Sequence, residues 1–241
     1  MLDELPALRT ATEAYRAAAA GAGLAWPDLP APTRRQPPEV VYRAFEVDHV
    51  AEELVWLESQ GWDSRRIFPD SAWLQPWPTE ADPSLRYLSF AIGTPFPWRH
   101  QLPLFICQDV TYTFVLAGEY EGEIWRFESD PDTWGTVRAA TSLAALFTEW
   151  TRGIEAGVVR DTGDGGGLQV GDGVNDPLDV LLDQAPDLDP FAFPVASIGN
   201  EPLLRDRQRE CGVDMDCIDR GEDCHEELAD AIEAVRTSLR G

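Results

Sequence analysis

"YTFVLAGEYEGEIWRFESDPDTW", Tyr112 to Trp134, is the stretch on which the fold is read. An apolar run from Tyr112 to Ala117 ends at Gly118. Gly122 then opens a second, aromatic run, GEIWRFE, and an acidic exit follows. Two short β segments joined through a glycine-bounded turn make a hairpin. LPLFIC (102–107) stands just before them, so three strands in close succession predict an antiparallel meander. The turn carries Glu119, Glu121 and Glu123 at alternate positions. Alternate residues of a regular strand share a face. Carboxylates gathered that way serve glycoside hydrolysis or hold Ca²⁺ or Mg²⁺. Gly118 and Gly122 bound a turn, however, and a turn breaks the alternation and faces its carboxylates to water. The reading favours a solvated acidic surface, with a partner-binding anionic patch second and catalysis or metal binding last.

Helices are expected on either side. In TSLAALFTEWTRG (141–153), Leu143, Leu146, Phe147 and Trp150 fall at i, i+3, i+4 and i+7, with Thr141 or Ser142 as cap and Gly153 as stop. In VYRAFEVDHVAEELVWLESQGW (41–62), Val47, Val50, Ala51 and Leu54 make a similar stripe. Asp48 is its candidate N-cap and Gly61 its end, and His49 reads as a first-turn residue rather than a base. A further helix over 3–20 places Leu5, Leu8, Ala11 and Tyr15 near one face. Five prolines in 27–38 predict an extended connector. Seven more fall in 69–103, where only LRYLSFAI (85–92) alternates as a strand. Trp73, Trp77 and Trp98 could form an aromatic groove, but such residues more often fill irregular cores.

At 241 residues, 44% hydrophobic, with nine Trp and ten Phe, the chain has material for a sizeable core. Its net charge is −24, and all 19 basic residues are Arg. Such a chain is repelled by nucleic acid and by anionic membranes, and it steers towards basic partners. Residues 1–150 hold 22 acidic and 11 basic residues, and 151–241 hold 21 and 8, so charge density roughly doubles. The chain therefore divides into an α+β part, 1–153, and an acidic C-terminal α/β extension, 154–241, packed on it. The extension opens with VVRDTGDGGGLQVGDG, read as a glycine-turn hairpin. It closes in a helix with Leu228, Ile232, Val235 and Leu239 on one face. No apolar run is long enough to span a membrane, and MLDELPALRT has no secretory character. Four Cys form no disulfide framework, and the expectation is a cytoplasmic protein with reduced thiols.

Other chemistry finds little support. Cys211, Cys217, Cys224 and His225 offer zinc-type ligands, but no C-x2-C knuckle is present. Free thiols, kept protonated by the acidic surroundings, are the better reading. An EF-hand register from Asp161 places Gly163 at position 3 and Asp172 at position 12, so the calcium pattern fails. There is no G-x-S-x-G and no Walker A motif. Neither a metal nor a cofactor is expected.

With the order of elements in place, VYRAFEVDHVAEELVWL, LPLFICQDVTYTFVLAGEYEGEIWRFESDPDTW and SLAALFTEWTRGI together resemble the SUKH superfamily. Its bacterial members include immunity proteins of polymorphic toxin systems, and its fungal members regulate cell-wall synthesis. Leu102-Pro103, Gly118, Gly122, Trp125 and Ser142 to Phe147 occupy the family's pattern, over residues 39–154. The resemblance implies an antiparallel β-meander flanked by helices, with no catalysis and no cofactor. The expected function is that of a non-catalytic interaction protein that neutralises a basic toxin domain, such as a nuclease. Its candidate contacts are Glu119, Tyr120, Glu121 and Glu123, with Trp125 as aromatic anchor. A carboxylate-based hydrolase and a regulatory adaptor without a toxin partner are the alternatives.

Overall fold

The computed structural model describes residues 4–23, 37, 39–60, 72–73, 100–107, 110–128, 136–161, 168–195 and 201–220, with most positions between 226 and 237. Its centre is a five-stranded antiparallel sheet in sequential order: β1 (Ala72–Trp73), β2 (Gln101–Cys107), β3 (Val110–Val115), β4 (Ile124–Glu128) and β5 (Val137–Ala140). The predicted meander is β2-β3-β4, with Leu102 opposite Phe114 and Thr113 opposite Trp125. The fold is therefore α+β, an antiparallel meander flanked by helices.

β5 was not anticipated. It is four residues long, and Val137 and Arg138 pair with Arg126 and Trp125 across a register shift at Ile124/Trp125. Its short VRAA sequence has none of the aromatic alternation that marks the other strands. LRYLSFAI, Gly61, Trp77 and Trp98 lie outside the described residues.

α4 (Leu143–Glu155) packs on one face of the sheet, and α1 (Leu5–Gly21) packs on α4. Tyr15 of α1 meets Phe147 and Trp150 of α4 at ring-centroid distances of 5.5 and 5.8 Å, and Trp150 meets Tyr112 of β3 at 5.9 Å. Burial of these rings supplies much of the core's hydrophobic stabilisation. As expected, Ser142 caps α4, its Oγ accepting from the Ala145 N–H at 3.1 Å.

Gly153 does not stop α4. The helix runs on to Glu155 and closes in a Schellman turn, with Gly157 at φ 73°, Val158 N–H to Gly153 O at 3.1 Å and Gly157 N–H to Ile154 O at 3.0 Å. Gly153 instead makes room. A Cβ there would lie 2.6 Å from Phe193 Cε1 and 2.9 Å from Val159 Cγ2. Gly153→Ala is expected to destabilise the protein by about 1–3 kcal/mol in chemical denaturation, despite the better helix propensity of alanine. Pairing it with Phe193→Leu should recover part of the loss, because Phe193 is the ring being crowded.

The helix expected from an Asp48 cap to Gly61 starts later than that, and a separate, unpredicted helix precedes it. α2 (Glu39–Phe45) ends where Glu46 takes φ 52°, and Val47 N–H closes a six-residue turn on Tyr42 O at 3.1 Å. α3 (Glu52–Ser59) starts afresh with Ala51, not Asp48, at its N-cap and no side-chain cap. Val47 and Val50 thus lie in the link between helices, where Val47 is still buried. Hydrophobic spacing alone does not register the break, because both sides of it feed the same core.

From residue 154 on, the chain contributes to the same buried cluster as the sheet. Val158, Leu168, Leu181, Phe193 and Val195 all belong to it. The predicted hairpin is β6 (Val159–Asp161) paired with β7 (Leu168–Val170). α5 (Pro177–Gln184) and a 3₁₀ turn (Pro190–Ala192) follow. The chain after that turn is anchored through its carbonyls. Ala192 O accepts from Trp150 Nε1 at 2.7 Å and from Tyr112 Oη at 3.1 Å. Phe193 O and Val195 O accept from the buried Arg126 guanidinium at 2.7 and 2.6 Å. α6 (Glu201–Glu210) and α7 (Met215–Arg220) complete the described elements, and the described positions of 226–237 are helical, with Val235 buried.

Asp172, after β7, is bonded to its own loop. Its carboxylate accepts from the N–H groups of Asn175 and Val174, both at 2.9 Å, and from Asn175 Nδ2 at 2.8 Å. These bonds, led by the Asn175 N–H, lower its pKa from 3.8 to about 2. A depressed carboxylate contributes stability that is present above its unfolded value and is lost as pH falls through the folded one. An NMR titration should therefore find a midpoint near 2, and Asp172→Ala should cost stability at pH 6 by an amount that shrinks as pH drops from about 4 towards 2.

Candidate functional site

The acidic turn between β3 and β4 is a tightly bonded loop. Gly118 and Gly122 sit at φ 95° and 91°, conformations that favour glycine. Gly122 N–H donates to Val115 O at 2.9 Å and Val115 N–H to Glu123 O at 3.0 Å, closing the loop. Within it, Glu123 N–H reaches Tyr120 O at 3.0 Å.

The three glutamates go to three environments. Glu119 is exposed at the end of the loop. Glu121 Oε1 lies 3.1 Å from Nε2 of His49, in the link between α2 and α3. His49 is thus a loop residue bonded across the fold, not a helix first-turn residue. Glu123 turns inward, where Oε2 accepts from Trp125 Nε1 at 2.9 Å and Oε1 from Arg138 Nη1 at 2.9 Å. Burial works against the charge on Arg138, but the bond and charge of Glu123 prevail and raise its pKa above the ordinary value. Alternation therefore fails at the turn as the glycines predict, and the carboxylates do not converge.

Trp125 is not a surface anchor. It is fully buried, in a second cluster with Val115, Cys211 and Val213. Tyr120 stands edge-on to it, centroids 6.1 Å apart at 81°, and is only partly buried. The aromatic residue at this surface is Tyr120. Strand parity puts Trp125 on the face opposite Ile124 and the helices, and the C-terminal segment covers that second face.

This cover depends on how α6 ends. Gly212 adopts φ 71°, with Val213 N–H to Gln208 O at 3.0 Å and Gly212 N–H to Arg209 O at 3.1 Å, again a Schellman closure. The turn lays Cys211 and Val213 against Trp125 and brings Gly212 to the Tyr120 hydroxyl; a Cβ on Gly212 would lie 3.0 Å from that oxygen. The Cys-Gly pair at 211–212, following a polar helix, is the signal that sequence reading passed over. Burial raises the Cys211 pKa, against the pull of Arg138. Low solvation, more than acidic neighbours, keeps this thiol protonated. Cys224 and His225 lie outside the described residues. Among the described residues no group of three or more His, Cys, Asp or Glu could hold a metal ion, and no helix is long and apolar enough to cross a membrane.

What these elements define is an α+β protein whose sheet presents a braced acidic hairpin end, with Glu119, Tyr120 and Glu121 outward and Glu123 and Trp125 behind. Comparison of the chain with protein-family models, curated proteins and solved structures found no match.

Proposed function

We propose that this protein is a non-catalytic interaction protein that binds and neutralises a basic protein partner, a toxin domain such as a nuclease, in the cytoplasm. The observation that carries the reading is the bracing of the acidic end: two glycine turns, the Glu121–His49 and Glu123–Arg138 pairs, and Tyr120 against Trp125. A preorganised anionic projection loses little freedom on binding. On a chain of net charge −24 it also steers a cationic partner in quickly. A nuclease must present positive surface to phosphates, and an acidic face competes for that surface. The SUKH resemblance of residues 39–154 supplies the toxin as the kind of partner. Glu119, Tyr120 and Glu121 form the contact surface in this reading, and Glu123 and Trp125 hold it in shape.

The test is affinity capture from the source cells with tagged protein, washed at low and at high salt, with partners identified by mass spectrometry. One basic partner with a toxin-like domain, lost at high salt, is the expected result. A partner of regulatory type would turn the reading to an adaptor. No partner at either salt would end it.

A further inference from the structure

Two histidines stand beside the acidic hairpin end. His49, in the link between α2 and α3, has Nε2 at 3.1 Å from Glu121 Oε1. The chain is fixed two residues before it, where Glu46 takes φ 52°, Val47 N–H bonds Tyr42 O and the Val47 side chain is buried. His100, just before β2, has Nδ1 at 3.9 Å from where a Cβ on Gly118 would lie, and its carbonyl accepts from Leu116 N–H at 2.8 Å. It therefore sits at the first glycine of the turn. Solvent reaches both imidazoles, His49 being exposed and His100 partly buried.

Histidine is the side chain whose charge ordinarily changes between pH 5 and 8. With the proton on Nε2, a neutral His49 donates to Glu121, and the pair keeps the negative charge of the carboxylate. A protonated His49 makes the same contact, and the pair is neutral. The other charged groups nearby belong to several elements. Glu46 and Asp48 share the link, Arg43 lies in the last turn of α2, and Glu52 and Glu53 open α3, while Glu119 and Tyr120 share the turn with Glu121. Carboxylates, guanidiniums and phenols ordinarily titrate outside that range. Among these groups, the two histidines set how the charge of this end changes there.

We propose that His49 and His100 make the acidic end a pH-switched contact surface, which holds a cationic partner above about pH 7 and loosens it as the imidazoles take up protons. The switch rests on the reading of that end as the binding surface, and adds what regulates it. Positive charge beside Glu119 and Glu121 repels the same cations that the carboxylates attract. The effect is largest at low ionic strength, where charges about 10 Å apart still interact. A bound cation favours unprotonated imidazoles, so by linkage affinity rises with pH through their titration and falls below it.

NMR titration of the full chain with a hexa-arginine peptide in low salt, at about pH 7.5 and about pH 5.5, tests the switch. The backbone amides of Glu119, Tyr120 and Glu121 report binding at this end apart from the rest of the acidic surface. The expected result is a local Kd weaker by about three- to tenfold at the lower pH, with most of that difference gone in the double variant His49→Gln with His100→Gln. Gln keeps a donor for Glu121 but takes up no proton, and unchanged amide positions away from the turn confirm that the variant folds. The same pH dependence in the double variant, or none in the unmodified chain, would overturn the switch and leave the binding surface standing. No response of these amides to the peptide at about pH 7.5 would instead remove the hairpin end as a cation-binding surface, and the switch with it.

Discussion

Trp150→Ala is expected to destabilise the protein by about 3–5 kcal/mol, read as a lowered midpoint in guanidinium unfolding. The Trp150 ring joins several elements of the core. The side chain is fully buried, meets Tyr15, Tyr112 and Phe147 within 6 Å between ring centroids, and donates its indole N–H to Ala192 O at 2.7 Å. Truncation removes the transfer energy of the ring and leaves a cavity whose walls come from α1, β3 and α4, three elements unable to collapse together. Trp150→Phe separates packing from hydrogen bonding. Tyr112 Oη still donates to Ala192 O in that variant, so the carbonyl is not stranded, and a cost of about 1–2 kcal/mol is expected. A loss below about 1 kcal/mol for the alanine variant would mean that α1 and the 154–195 segment do not share this core.

The second large effect concerns association. Once the basic partner is in hand, the double reversal Glu119→Arg with Glu121→Arg should slow its association about tenfold or more at low ionic strength and flatten the dependence of the rate on salt. Both side chains lie at the outer end of the hairpin, and the one bond lost, Glu121 to His49, is solvent-accessible on both sides. An exposed pair of this kind contributes about 0–1 kcal/mol, so the fold should survive. Glu123→Gln is the informative contrast. It loosens Arg138 and the Trp125 indole from behind, so it should lower stability more than it changes the charge a partner meets at a distance. An unchanged association rate in the double variant would remove the hairpin end from the interface.

These two predictions draw on different parts of what the chain makes legible. The stripe Leu143, Leu146, Phe147 and Trp150 and the runs around Gly118 and Gly122 are local patterns, and α4, β3 and β4 formed where those patterns lie. Helical spacing and glycine turns are dictated by backbone geometry over a few residues, so the sequence carries them directly. Breaks between elements were harder to read. Glu46 leaves the helical region without being glycine, and Gly153 stays within a helix although glycine favours an end. In each case packing in the core outweighs the local preference: burial of Val47 in the first, room for Phe193 in the second.

From the sequence by itself came the antiparallel meander, its flanking helices, the acidic turn and the breakdown of strand alternation among its glutamates. Only the tertiary structure decided what covers the second face of the sheet. Strand parity says that Trp125 lies opposite Ile124, but not whether water or protein waits there. Cys211 and Val213, more than eighty positions further along the chain, settle that by burying Trp125 and leaving Tyr120 at the surface. Such pairings depend on chain closure over long separations, where no local periodicity reaches.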